Sequence, residues 1–302
     1  MPVILLAHTT GWPARIPVAM VVTAGAAYLL ASRSAGGRTG AGFHRMRRSQ
    51  RRRAAAYLAG LIFVLAALTG PIERYADELF WVHMVQHVLL LAVAAPLFVL
   101  AAPWALSLRL LQPNTRRRVV AWWRGAGSAR PLRVVAALLT APAAAWILFE
   151  ANLIGWHVPA AFDLTLRSEP AHDVEHVLFL GLGMLFWTHV IDSPSLRPRL
   201  GNLQRATYVT AASAVGWALS IALTIAPSPL YAGYAGVAAR PAGVSALADQ
   251  RLAAGVMLVP GSIPFVVAAL VSLIRWLSED ERPAAGPGSA TRVAIRGPEG
   301  GA

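Results

Sequence analysis

A chain of 302 residues that is 56% hydrophobic and only 14% charged, with a mean hydropathy of +0.54, is too apolar for an ordinary soluble domain and reads as a polytopic helical membrane protein. Its net charge of +13 comes entirely from Arg, with no Lys, and the Arg fall between apolar segments, so membrane topology accounts for the charge and nucleic acid is not an expected partner. The absence of Cys excludes disulfides, thiolate zinc sites, iron–sulfur clusters and thiol-based copper transfer within this chain, leaving His, Met, carboxylate or backbone oxygen to hold any metal.

The first apolar stretch, at 16–31, has no basic region before it and an Arg cluster after it. That order predicts a helix with its N-terminus outside and not a cleaved signal peptide. Six further apolar segments follow at 54–70, 82–106, 134–151, 171–191, 206–226 and 250–274. The fold class this predicts is all-α: a transmembrane helical bundle of about seven spans over residues 1–281, with a disordered cytoplasmic tail at 282–302 rich in Gly, Pro and Ala. Gly and Pro sit where spans must end or bend, as at Gly70-Pro71, Pro96, Pro103, Pro142 and Pro260-Gly261.

Alternate connections carry the Arg. Eight lie between Arg33 and Arg53 and seven between Arg109 and Arg133; Arg197, Arg199 and Arg205 follow, then Arg275, Arg282, Arg292 and Arg296. The other side holds Arg15, Arg74, Arg167, Arg240 and Arg251. By the positive-inside rule, 22 against 5 predicts the N-terminus outside and the C-terminus in the cytoplasm.

The outer side then carries the chemistry. His83 and His87 are spaced i,i+4, so they share one helical face at the mouth of the third segment. His172 and His176 repeat that spacing at the mouth of the fifth. At 1.5 Å rise per residue, His87 lies on the order of 5–8 Å below the outer boundary. Intramembrane imidazole is costly without a partner, and four of them facing one cavity suit copper, zinc, iron or haem. Asp173 and Glu175 flank the second pair and are placed either to ligate or to orient a ligand. His157, in Trp156-His157-Val158-Pro159, is held on an outer loop. Asp249, opening the last segment, is expected either to cap that helix or to point a carboxylate into the same cavity. Met84 and Met257 are weaker ligand candidates, and Met84 is expected to pack against lipid or a neighbour. Trp81, Trp156 and Trp187 are expected in the interfacial belt. A lone His near a helix end ordinarily anchors at the interface or satisfies a core hydrogen bond, which is the reading for His8, His44 and His189.

Three patches together resemble the CtaG-type cytochrome c oxidase assembly factors of bacteria. The first runs from His83-Met84-Val85-Gln86-His87 to Ala95-Pro96-Leu97. The second is Trp156-His157-Val158-Pro159 with Asp163, then His172-Asp173-Val174-Glu175-His176, closing on Leu185-Phe186-Trp187. The third is Leu230-Tyr231-Ala232-Gly233-Tyr234, then Leu247-Ala248-Asp249-Gln250 and Gly255-Val256-Met257. They cover roughly residues 57–277. The resemblance implies a multi-pass plasma-membrane protein, not an enzyme, that matures a haem–copper oxidase by supplying copper to its catalytic subunit, with the family's histidines falling on His83, His87, His157, His172 and His176. The sequence departs from the family pattern at Leu258, where Trp is usual, and at Phe162, where Tyr is usual; neither is a candidate ligand.

Two other readings stand beside this one. Paired His can clamp a haem, or with carboxylates hold non-haem iron, making a redox protein. A proton or ion relay fits less well, because the inner halves of the segments carry almost no ionisable residue and Glu150 is placed at the outer end of the fourth.

Overall fold

The computed structural model describes residues 15–33, 41–104, 111–125, 127–193, 198–237 and 240–280, and among them all helix-length regular structure is helical. In chain order the helices are α1 (Arg15–Arg33), α2 (Ala41–Leu68), α3 (Gly70–Ala76), α4 (Phe80–Val88), α5 (Ala95–Ala101), α6 (Pro113–Arg124) and α7 (Arg130–Leu139). They continue with α8 (Pro142–Trp156), α9 (Pro159–Thr165), α10 (Glu169–Trp187), α11 (Asn202–Ile225), α12 (Ala232–Ala235), α13 (Ala246–Leu258) and α14 (Ile263–Asp280). Proline sets many of the starts: α3 and α6 to α10 each have Pro in the first two positions, where its fixed φ suits a helix and its missing N–H is not needed.

Among the described residues each of the seven apolar segments falls mostly on helix, but the helices do not all qualify as spans. Among the described residues three helices are long and apolar enough to cross a membrane: Phe80–Ala101, Asn202–Ile225 and Ala246–Glu279. The number rises to five if two bent pairs each count as one, Arg48–Leu68 with Gly70–Ala76 at 41° and Arg130–Leu139 with Pro142–Trp156 at 64°. The expected seven is therefore not reached on length and composition. α1 offers only a short apolar helix, Val18–Ser32. α10 loses apolarity to Glu169, His172, Asp173, Glu175 and His176, all in its first two turns. His8, the side chain of His44 and the expected tail at 282–302 lie outside what is described.

Between α4 and α5 the helix widens into a π turn, Leu89–Ala94. There Ala95 N–H donates to Leu90 O, five residues back, so the corresponding donor for Leu91 O would be residue 96, a proline with none. Trp187 Nε1–H fills the gap, donating to Leu91 O at 2.9 Å. Trp187 is thus not the belt residue its sequence position predicts; it is 1% exposed. α10 can come this close because Gly183 has no Cβ: one built there would stand 3.2 Å from Leu91 Cα and from Ala95 Cβ. Phe149, Phe179, Phe186 and Phe265 pack round this junction, while Phe80, Met84, Phe162, Tyr231 and Tyr234 form a second core under the start of α4. The outcome is that α10 is clamped onto α4 and α5, which brings the two His pairs together.

Candidate metal centre

α4 presents His83 and His87, and α10 presents His172, Glu175 and His176, to one buried point. His83 Nε2 and His87 Nε2 are 3.0 Å apart. The Glu175 carboxylate is 3.4 Å from the first and 3.5 Å from the second. His83, Glu175 and His87 are 0%, 0% and 3% exposed, so water does not compete for these atoms. Two groups can each bring three ligand atoms within 4.8 Å of one another: His83, His87 and Glu175, and His83, His172 and His176. Ligands each about 2.0–2.2 Å from one first-row ion must lie roughly 3–4 Å apart, which the first group meets as it stands. The donor chemistry, imidazole with one carboxylate and no thiolate, fits a borderline divalent or monovalent transition metal.

The tautomer of His83 follows from its neighbours. Tyr234 donates its hydroxyl proton to Ala76 O, leaving its oxygen to accept from His83 Nδ1–H at 3.0 Å. His83 Nε2 is then a lone pair aimed at the cluster, the usual arrangement when a ligating imidazole gives its other N–H to a fixed acceptor. Burial, reinforced by Asp77, Asp249 and Glu175, holds the Tyr234 phenol well above its ordinary value, so this relay keeps its proton. Tyr234 was not singled out by sequence reasoning as part of the site. The signal was its place in the Tyr231–Tyr234 patch, but nothing there reveals a partner 151 positions away.

The remaining expected site residues separate. His157 caps the end of α8, and its Nδ1 donates to Leu153 O at 2.7 Å. Burial pushes its imidazole below the ordinary value, against the opposing pull of that carbonyl and of Glu175. It lies outside both ligand groups. Asp249 is also outside them: its oxygens accept from Phe80 N at 2.9 Å and Trp81 N at 3.0 Å, capping α4 and not its own helix. Asp173 is half-buried and apart from the converging atoms. Met84 is 1% exposed and packs inside the protein. Gln86, on the face of α4 next to the histidines, ties that helix to α2 and α3 through Ala67 O at 2.8 Å and Glu73 Oε2 at 2.6 Å. Glu150 is buried in α8, with no hydrogen-bond partner for either oxygen.

Residues 26–279 match the family described as the cytochrome c oxidase caa3 assembly factor. The chain belongs to that family. Among curated proteins, this chain is similar to an uncharacterized protein of Mycobacterium leprae, 26% identical over 255 residues, covering 81% of this chain and 38% of the relative. An uncharacterized protein of Mycobacterium bovis is also 26% identical, over 235 residues, covering 76% and 34%. The chain thus spans little more than a third of the curated relatives it matches. No solved structure matches it. Membership of the caa3 assembly factor family supports a role in oxidase assembly.

Proposed function

We propose that the chain holds copper at the outer face of the plasma membrane and passes it to the catalytic subunit of a cytochrome c oxidase, acting as a chaperone and not as an enzyme. In this reading the protein is multi-pass, with its N-terminus outside, its C-terminus in the cytoplasm and copper as cargo. The observation that carries it is the convergence of His83 Nε2, His87 Nε2 and the Glu175 carboxylate at 3.0, 3.4 and 3.5 Å, backed by His172 and His176. Family membership supplies the oxidase, and the distribution of Arg supplies the orientation. A site at the start of α4 and α10, away from the middle of the bundle, suits handover to a partner.

Two imidazoles and a carboxylate also make the donor set of non-haem iron, which keeps a redox protein as the second reading.

The test is metal analysis of the detergent-purified chain beside the double variant His83→Ala/His176→Ala, paired with the oxidase made in cells carrying each. The expected result is copper bound by the parent and lost from the variant, with an oxidase that keeps haem but lacks copper and is partly rescued by copper in the medium. Iron in place of copper would favour the second reading. A copper-loaded oxidase in the variant strain would overturn the proposal and make the histidines structural.

A further inference from the structure

His87 has a second nitrogen that the cluster leaves idle. Its Nε2 faces His83 and Glu175, while its Nδ1 is buried with no hydrogen-bond partner. The same ring lines a cavity of ≈ 70 Å³ between α4, α8, α10, α11 and α13, walled by Leu153 and Phe179. His157 lines it too. Because Leu153 O can only accept, His157 Nδ1 carries the proton and its Nε2 is a bare lone pair, also buried and without a partner. His87 is 3% and His157 6% exposed, so bulk water does not satisfy either nitrogen. Met84 and Met257 bring two thioethers to the same walls.

His87, His157, Met84 and Met257 all line one apolar cavity, and their imidazoles and thioethers are a softer donor set than that of the carboxylate-bearing cluster. Thioether and neutral imidazole select monovalent copper, and the lack of any carboxylate in the lining disfavours zinc, iron and divalent copper. His157 already has the arrangement of a ligating imidazole, with its far N–H fixed on a backbone carbonyl.

We propose that this cavity is a second site, specific for Cu(I) and ligated by His87 Nδ1, His157 Nε2 and the sulfurs of Met84 and Met257, that exchanges its ion with the outer cluster through His87. The inference rests on the copper reading above. In the outer position His87 ligates through Nε2 and carries its proton on Nδ1. In the cavity position it ligates through Nδ1 and carries the proton on Nε2, where His83 Nε2, already a lone pair 3.0 Å away, accepts it as a hydrogen bond. Copper remains monovalent throughout and one Cu–N bond is exchanged for another on the same ring; water entering with the ion takes the proton that Nδ1 releases, and one proton is returned at Nε2 as copper leaves it, so the charge of the ring is unchanged. A neutral imidazole cannot serve both positions at once, so His87 passes the ion instead of bridging two.

The full chain in detergent is titrated with Cu(I) against a competing colourless-to-coloured Cu(I) chelator, and with Zn(II) in parallel. Three variants accompany it: His157→Ala, the near-isosteric Met257→Leu, and His172→Ala in the outer cluster. X-ray absorption at the copper edge reports sulfur ligation. The expected result is one Cu(I) per chain shared between the two positions, so that part of it carries sulfur ligation, and Zn(II) at the outer position alone. His157→Ala removes the sulfur-bearing copper, Met257→Leu weakens it at least tenfold and reduces the sulfur signal, and His172→Ala leaves it intact. Sulfur-free copper in the parent, with an unchanged isotherm in Met257→Leu, would overturn the cavity site while leaving the outer reading standing. Sulfur-bearing copper that survives loss of the outer cluster, with no other copper in the parent, would support the cavity and overturn the outer site. Absence of any copper in the parent would overturn both. Met257→Leu decides the matter should His157→Ala not fold, since it changes a sulfur and keeps the volume.

Discussion

Asp249 was a ligand candidate from sequence and is a helix cap in the structure, and the two roles predict different losses. Its carboxylate is fully buried and accepts from Phe80 N at 2.9 Å and Trp81 N at 3.0 Å. Both donors lie in the first turn of α4, where backbone N–H groups have no partner within the helix. Asp249→Ala leaves the pair unsatisfied where water cannot replace the acceptor. At roughly 1–3 kcal/mol for each buried donor, the loss should be about 2–6 kcal/mol. It also removes the negative charge 3.9 Å from Arg240 Nε, which adds to the cost. Asp249→Asn keeps one acceptor oxygen and should lose about 1–3 kcal/mol. Denaturant titration of the detergent-solubilised protein, followed by helical circular dichroism, measures both, and copper stoichiometry is read on the same samples. The cap reading requires destabilisation in the order Ala, then Asn, with copper retained in whatever fraction stays folded. A change below about 1 kcal/mol in Asp249→Ala, together with loss of copper, would refute it and return Asp249 to the ligand set.

Tyr234→Phe removes the acceptor that fixes the His83 tautomer and should weaken copper binding by about 10–100-fold in a chelator competition assay, with the protein still folded. Gly183→Leu should be more damaging than any exposed substitution on α10, because even a Cβ would stand 3.2 Å from the Leu91 backbone. Its readout is loss of monodisperse protein on size exclusion, or a drop of about 1–3 kcal/mol or more in the denaturant titration.

The i,i+4 spacing of His83 with His87 and of His172 with His176 was legible as two one-sided pairs because helical periodicity is local. That the pairs meet is a tertiary fact. It depends on Gly183 admitting α10 against the π turn and on Trp187 bonding across to Leu91, and neither residue announces that role in a linear reading. Trp187 looked like a belt residue because Trp near a span end usually is one; its indole N–H instead found an acceptor stripped of its own donor by Pro96. Asp249 looked like a cap for its own helix, but Ser245 Oγ accepts from Ala248 N at 3.2 Å and performs that task, which frees the carboxylate for α4. The count of seven spans came from apolar runs alone. Those runs are present as helix, but a run divided by a 64° bend at Pro142, or interrupted by acids as in α10, is not the continuous apolar rod the count assumes.

The π turn has a consequence for which insertions and deletions this chain can tolerate. A π turn winds less per residue than an α-helix, so Leu89–Ala94 absorbs one residue more than a regular ladder needs, and α5 leaves it in the phase that a regular helix one residue shorter would give. A further insertion has no such slack: it would swing Phe98 out of its slot against Gly60 of α2, where a Cβ would stand only 2.8 Å from the ring, or else swing His83 and His87 away from Glu175. The two ends of this span are held in separate phase by different neighbours, and the widened turn is the joint that allows both. Deleting one residue from Leu89–Ala94 should therefore be better tolerated than inserting one.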